Sequence, residues 1–254
     1  MKYTDLDLKK PMESNNYKEE SEFVVSSIKQ ILDEKEVIGD NKIIINTNLK
    51  MRLPLENINK LAAPMIEAWA FEVFSEIRDD FENKYKLINV EAQERLGMSD
   101  IILQFRKNED VITGNIDVKA TSNNIKNSGK SPNITSFSRI RTAYIQNPDF
   151  IFIILSIKHK VYSERDNITL AMNGIMELTD FKVYDLKYVS EKDISYNPSL
   201  GTGQIQIKDI HYVEYQYRTT WEMCQLLDRK YLNSSRRTIE NFYREAVKNK
   251  WIKE

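Results

Sequence analysis

The feature that most constrains the fold is an apolar run from Phe150 to Ile157, interrupted only by Ser156. Eight residues match the length of a buried β-strand, whereas a helix that crosses a membrane needs about 20. The run is the longest of its kind in the sequence. We therefore expect a sheet with a buried strand and no segment that spans a membrane.

The rest of the chain alternates between helical and strand patterns. Apolar residues recur at helical spacing in residues 20–36 and 61–81. Further helices are predicted at 133–146, 220–231 and 235–250, and strands at 42–47, 87–91, 100–106, 111–120, 149–157, 181–189 and 205–215. Helices before and after a mixed set of strands indicate a single α/β or α+β domain over residues 1–254. The polar segment 190–203 is predicted to be a long functional loop.

The composition excludes several kinds of site. A single cysteine, Cys224, rules out an intramolecular disulfide and a cysteine zinc cluster. Two histidines, His159 and His211, leave little for a histidine triad, and we interpret all three residues as structural. No GxxxxGK[ST] loop is present, so we expect no nucleotide cofactor. The setting expected from this cysteine usage is reducing and cytoplasmic.

Charge is unevenly distributed along a chain of net charge −1. Residues 118–148 carry five basic side chains and no acidic one, and residues 226–254 carry eight basic and four acidic side chains. Such stretches can bind a polyanion through one face. On charge alone, solvated surface is the simpler interpretation, and for the C-terminal run both interpretations stay open.

One constellation of residues predicts chemistry. Asp100 begins a predicted strand, and Asp117 and Lys119 alternate along the next one with Ile116 and Val118. Because side chains alternate between the faces of a strand, Asp117 and Lys119 project together, and Asp100 joins them if the two strands form a hairpin. Carboxylate oxygens suit Mg²⁺, which also takes phosphate as a ligand. The alternative is an ordinary solvent-facing strand.

The segment Ser99-Asp100 followed by Ile-Asp117-Val-Lys119 resembles the PD-(D/E)xK nuclease signature, with Ser99 in place of the usual proline. The segment from 119 to 136 is similar to the EcoRV/HincII branch of type II restriction endonucleases, as is the layout of the later loop, strand and helix. The resemblance covers roughly residues 60–232. It implies a restriction-endonuclease-like core with a mixed central β-sheet flanked by helices.

The resemblance also implies roles for residues at the site. Asp100 and Asp117 match the metal-binding acidic pair, with the Val118 carbonyl as a further ligand. Lys119 matches the catalytic lysine, acting as a base or as an electrostatic anchor. Glu67 matches the acidic residue that the superfamily places on an N-terminal helix, although a plain surface glutamate is an equal alternative.

Two polar segments could read DNA, since Asn, Gln, Arg and Lys side chains form paired hydrogen bonds with base edges. The first, 123–133, follows the catalytic strand, and the resemblance implies DNA contacts there. The second, 196–204, resembles the recognition loop of these enzymes. Both segments could instead be ordinary surface loops. The predicted DNA-binding residues are Lys126, Lys130, Ser131, Asn133, Asn197, Ser199, Gly201, Thr202, Gly203 and Gln204.

The sequence thus predicts a Mg²⁺-dependent type II restriction enzyme that cuts double-stranded DNA as a homodimer at a short palindromic site. Cleavage would leave 5′-phosphate ends, with blunt cutting favoured. Residues 1–60 are expected to contain a dimerisation region, 61–232 the catalytic and recognition core, and 233–254 a basic C-terminal helix. The alternatives are a repair or junction-resolving nuclease with the same core, or a DNA-binding protein without activity.

Overall fold

The structure is a computed structural model that describes residues 1–94 and 97–253. The chain forms two compact units. The first unit comprises Met1–Ser21, Lys130–Phe152 and the segment from Asp185 onward, and the second comprises Glu22–Gly129 and Ile153–Tyr184. The organisation of residues 1–254 as one restriction-endonuclease-like domain stays a prediction.

A six-stranded sheet forms the centre of the second unit. Its strands, in spatial order, are β1 (Lys42–Ile45), β7 (Met172–Asp185), β6 (Ile151–Arg165), β4 (Asp110–Ser122), β3 (Ile101–Lys107) and β2 (Leu87–Ala92). The helices that precede strand β2 along the chain are α1 (Tyr17–Val37), α2 (Leu55–Lys60) and α3 (Ala62–Asp79). The predicted fold class, a mixed central sheet flanked by helices, is confirmed.

The core of this unit lies where α3 packs against the sheet. Ile66, Ala70 and Phe74 recur at helical spacing and are fully buried, and α3 contacts both β2 and β4. The predicted buried strand is confirmed as β6, whose side chains from Ile153 to Leu155 are inaccessible to solvent. These contacts fix α3 against β4, the strand that carries Asp117 and Lys119.

The first unit contains a smaller sheet of three strands, in the spatial order β5 (Asn133–Ser136), β9 (Gln204–Ile207) and β8 (Ile194–Asn197). Its helices are α4 (Phe137–Gln146), α5 (Thr220–Leu232) and α6 (Ile239–Lys248). Phe137 of α4 stacks on Tyr231 of α5 with ring centroids 4.6 Å apart, and Trp251 meets it edge-on at 5.6 Å. This aromatic cluster joins the ends of the chain's last three helices.

The predicted helix at 133–146 is wrong in its first four residues, which form strand β5. Ile134 and Thr135 are β-branched and buried, and β5 pairs with the distant strand β9. The helix begins after Ser136, whose side chain accepts a hydrogen bond from the Arg139 backbone N–H. Ser136 is therefore the N-cap that separates strand from helix.

Other boundaries also differ from the sequence prediction. The strand predicted at 181–189 begins earlier, at Met172, and ends at Asp185, and the strand predicted at 205–215 ends at Ile207. The segment predicted to be a loop, 190–203, contains strand β8. The last helix begins at Ile239 because Thr238 and Asn241 form a capping box. Within residues 1–94 and 97–253, no helix is long and apolar enough to cross a membrane.

Candidate active site

The hairpin of β3 and β4 brings Asp100 beside Asp117. The strands are antiparallel with Ile101 opposite Ile116. The backbone N–H of Asp100 donates to the Ile116 carbonyl at 2.8 Å, and the Val118 N–H donates to Asp100 Oδ2 at 2.7 Å. The two hydrogen bonds bracket Asp117, and the two strands form the hairpin on which the predicted proximity of Asp100 and Asp117 depends.

Asp117 and Lys119 face the same side of β4 and form an ion pair. Lys119 Nζ lies 2.7 Å from Asp117 Oδ2, with side-chain exposures of 22% and 6%. Within the described part of the chain, this oxygen has no partner that meets hydrogen-bond geometry, so the contact is electrostatic. The solvent-facing alternative is therefore wrong for Asp117, which is buried.

The carboxylates of the site influence one another. Burial raises the pKa of Asp117 to about 7, and the negative charge of Asp100 contributes in the same direction against the attraction of Lys119. Burial also raises the pKa of Glu67, with a further contribution from Asp100. When all four groups are ionised, three carboxylates and one ammonium group leave a local charge of −2. Such a charge favours binding of a divalent cation.

Glu67 reaches the site from helix α3. It is half-buried, and it lines the same cleft as Ser99 and Asp100. Glu72, five residues along the same helix, is exposed. Glu67 therefore differs from a plain surface glutamate in its burial and in its electrostatic coupling to Asp100.

The residues fit a magnesium ion. The carboxylates of Asp100 and Asp117 and the carbonyl of Val118 are hard oxygen donors, and the buried Oδ2 of Asp117 is held only by the ion pair with Lys119 among the described residues. No group of three or more His, Cys, Asp or Glu side chains within residues 1–94 and 97–253 could hold a metal ion by itself. Two carboxylates are sufficient for Mg²⁺, because it keeps several waters and takes substrate phosphate as a ligand.

The predicted DNA-binding residues divide between the two units. Lys126 lies on an exposed turn of the second unit, and all the others belong to the first. Lys130 forms an ion pair with Asp209. Asn133 is exposed at the start of β5, where its side-chain oxygen accepts a hydrogen bond from Gln206 Nε2 at 2.9 Å. Asn133 is thereby held in a defined orientation at the sheet edge.

The segment 197–204 forms the connection between β8 and β9. Gly201 and Gly203 have φ angles of +51° and +89°, which favour glycine. Thr202 Oγ1 lies 2.9 Å from Ser138 Oγ of α4, and Asn197 pairs with Gln204 across the strands. The loop is therefore tied to the sheet and to α4 at several points.

Sequence reasoning missed Tyr196 and Arg237 as residues that support this loop, and it missed Gln206 as the residue that orients Asn133. The alternation Gln-Ile-Gln-Ile of β9 places Gln206 on the same face as Gln204 and could have identified it. Nothing in the sequence indicates the contacts of Arg237, which approaches from 33 residues beyond the end of the loop.

The residues interpreted as structural are buried. Cys224 is inaccessible to solvent, and burial raises the pKa of its thiol to about 12. His159 is 2% exposed, with Nε2 lying 3.2 Å from Asn59 Oδ1. His211 is also buried.

A central sheet flanked by helices, with two aspartates and a lysine on one hairpin, has the arrangement expected of a nuclease of the restriction-endonuclease type. The family described as type II restriction endonuclease HpaI matches residues 4–250. The chain is 68% identical over 254 residues to the type II restriction enzyme HpaI of Haemophilus parainfluenzae, with both chains fully covered. The chain belongs to the HpaI family of type II restriction endonucleases.

The family membership establishes the activity class, a site-specific deoxyribonuclease that binds DNA. It favours this function over the repair-nuclease and binding-protein alternatives. Among solved structures, the chain is similar to the NlaIV restriction endonuclease. The match covers 86% of this chain and 83% of the NlaIV chain, with a TM-score of 0.44 and 12% sequence identity.

Proposed function

We propose that this enzyme hydrolyses phosphodiester bonds of double-stranded DNA with Mg²⁺ at the site formed by Asp100, Asp117, Lys119 and Glu67. The observation that supports this proposal most strongly is the buried Asp117 carboxylate. It is bracketed by the two hydrogen bonds of Asp100 and forms an ion pair with Lys119 at 2.7 Å. Burial raises the pKa of this carboxylate to about 7, and a strongly perturbed titratable group beside a cleft is a candidate functional residue.

Asp100, Asp117 and the Val118 carbonyl would hold the ion. When bound, Mg²⁺ supplies electrostatic stabilisation of the negative charge that develops at phosphorus and orients the attacking water. The hydrogen bond from the Val118 N–H fixes the Asp100 carboxylate before DNA arrives. A metal ligand that is already fixed in this way needs no reorganisation during the reaction.

Lys119 is positioned to act on the same phosphate. Its ion pair with Asp117 keeps the amine at the site, where a positive charge would offset the charge that develops at phosphorus. This pairing supports the role of electrostatic anchor over that of base. Glu67, which lines the same cleft as Asp100, would contribute a further acidic group to the site.

Specificity is proposed to come from the first unit. The exposed Asn133, oriented by Gln206, and the loop at 197–204 carry side chains suited to base edges, whereas Lys126 and Lys130 would position the phosphate backbone. We further propose that the enzyme is a homodimer acting on a palindromic site, because two-fold symmetry supplies one active centre for each strand. Cleavage would then leave 5′-phosphate ends, with blunt cutting favoured.

The test compares cleavage and DNA binding in Asp117→Ala and Lys119→Ala. Both variants should lose Mg²⁺-dependent cleavage of duplex DNA while retaining binding in a gel-shift assay. Asp110→Ala is the matched control, since Asp110 is exposed at the far end of the same strand and should cut normally. Strand cutting by either purified active-site variant would reject the assignment.

A further inference from the structure

One arginine, Arg237, contacts the loop between β8 and β9 through several hydrogen bonds. Arg237 Nε donates to the hydroxyl of Tyr196 at 2.9 Å, and Arg237 Nη2 donates to the carbonyls of Pro198 at 2.9 Å and Gly201 at 2.6 Å. The Tyr196 hydroxyl in turn donates to the Thr202 carbonyl at 2.7 Å. The guanidinium group therefore connects both ends of the loop tip.

The same loop is closely packed around Tyr196. Gly203 is buried with φ +89°, and a Cβ placed there would lie 2.1 Å from the Tyr196 hydroxyl oxygen. The Gly203 carbonyl accepts a hydrogen bond from the Phe137 N–H at the start of α4. Glycine at position 203 therefore permits the loop conformation that Arg237 and Tyr196 contact.

The direction of Arg237 distinguishes it from its neighbour. Arg237 is half-buried, its hydrogen bonds run to the loop, and its guanidinium carbon lies 5.4 Å from the centre of the Tyr231 ring. Arg236, the preceding residue, is exposed. An arginine whose fork is engaged by a hydroxyl and two carbonyls orients the protein backbone, whereas an exposed arginine is free to meet phosphate.

We propose that Arg237 is a positioning residue for site discrimination. It fixes the shape of the loop at 197–204, so that side chains such as Asn197 and Gln204 meet base edges in register. The inference rests on the proposed role of this loop in DNA recognition. At position 237, the C-terminal basic segment would thus support the loop rather than bind DNA directly or form solvated surface.

The experiment measures discrimination and salt dependence in Arg237→Ala and Arg237→Lys, with Arg236→Ala as the matched control. Discrimination is the ratio of kcat/KM on the cognate site, identified by sequencing the cut ends, to kcat/KM on a site altered at one base pair. Both Arg237 variants should lower this ratio by about tenfold or more. Lysine should fail to rescue because it lacks the planar guanidinium group, whose Nε and Nη2 together hold the Tyr196 hydroxyl and the two carbonyls.

The salt dependence separates positioning from direct contact with DNA. A lost phosphate contact lowers the slope of log K against log salt by about one, so the Arg237 variants should retain the wild-type slope in metal-free binding. Arg236→Ala should keep the wild-type discrimination ratio. A slope lowered by about one with unchanged discrimination would overturn the proposal, as would Arg237 variants that match the wild type in both measurements.

Two loop variants keep this inference distinct from the proposed function. If Asn197→Ala and Gln204→Ala leave discrimination unchanged, the role of the loop in recognition fails. If they lower discrimination while the Arg237 variants do not, only the positioning role fails. Thermal unfolding of each variant checks that it is folded, and Arg237→Lys, which keeps the charge and the stem, serves if Arg237→Ala does not fold.

Discussion

Replacing Asp117 with asparagine should stabilise the metal-free enzyme at alkaline pH while abolishing cleavage. Burial raises the pKa of Asp117 from an ordinary value of 3.8 to about 7. Because the pKa is higher in the folded than in the unfolded state, the contribution of Asp117 to stability is fully present below pH 3.8. It is lost as the pH rises through 7.

The size of this effect follows from the pKa. Each pKa unit is worth about 1.36 kcal/mol, so the difference in the pKa of Asp117 between the folded and unfolded states costs the folded state about 4 kcal/mol at pH 8 and less than about 2 kcal/mol at pH 5. The pKa of about 7 already includes the opposing attraction of Lys119. Asparagine has the same shape and does not ionise. The variant should therefore exceed the wild type in unfolding free energy by up to these amounts.

The assay is urea unfolding in EDTA at pH 5, 6.5 and 8, with Asp110→Asn as the exposed control on the same strand. Added Mg²⁺ should then stabilise the wild type selectively, by about 2.7 kcal/mol at 100 times its dissociation constant. The reasoning is refuted if Asp117→Asn matches the wild type at every pH. It is also refuted if Mg²⁺ stabilises the variant as much as the wild type.

Three further predictions follow from the structure. Gly203→Ala should lower the unfolding free energy by at least about 1 kcal/mol and should reduce site discrimination. The reason is that φ at this residue is +89° and the added Cβ would overlap Tyr196. A thermal midpoint equal to that of the wild type would contradict this prediction. Asp228→Ala should cost about 3–5 kcal/mol in urea unfolding, since it leaves Arg141 charged and fully buried without its partner at 2.7 Å; a loss under 1 kcal/mol would count against it. Cys224 is buried, and burial raises the pKa of its thiol to about 12. It should therefore react with a thiol reagent only at the rate of unfolding. Rapid labelling of the native enzyme would show that the thiol is accessible.

The active-site hairpin could be predicted from sequence because its determinants are local. Alternation of Ile116 and Val118 with Asp117 and Lys119 defines the faces of β4, and the turn at Asn108, with φ +58°, fixes the register. With the register set, the position of Asp100 beside Asp117 follows.

The supports of the recognition loop could not be predicted, because they join residues far apart in sequence. The sequence predicts a helical turn where strand β5 lies, because its partner β9 is about 70 residues away and leaves no local signal. The contacts of Arg237 with Pro198 and Gly201 depend on where α5 ends and α6 begins. Periodicity reports burial and element type, and it carries no information on such long-range polar contacts.

The central claim is that this enzyme cuts DNA at a specific site with Mg²⁺. The most direct measurement is digestion of a long unmethylated duplex by the purified wild-type enzyme with Mg²⁺ or with EDTA, followed by sequencing of the ends. We expect discrete fragments that require Mg²⁺ and end in 5′-phosphates at one palindromic sequence. Discrete fragments that form equally in EDTA, or DNA that stays intact across salt and divalent metals, would contradict it.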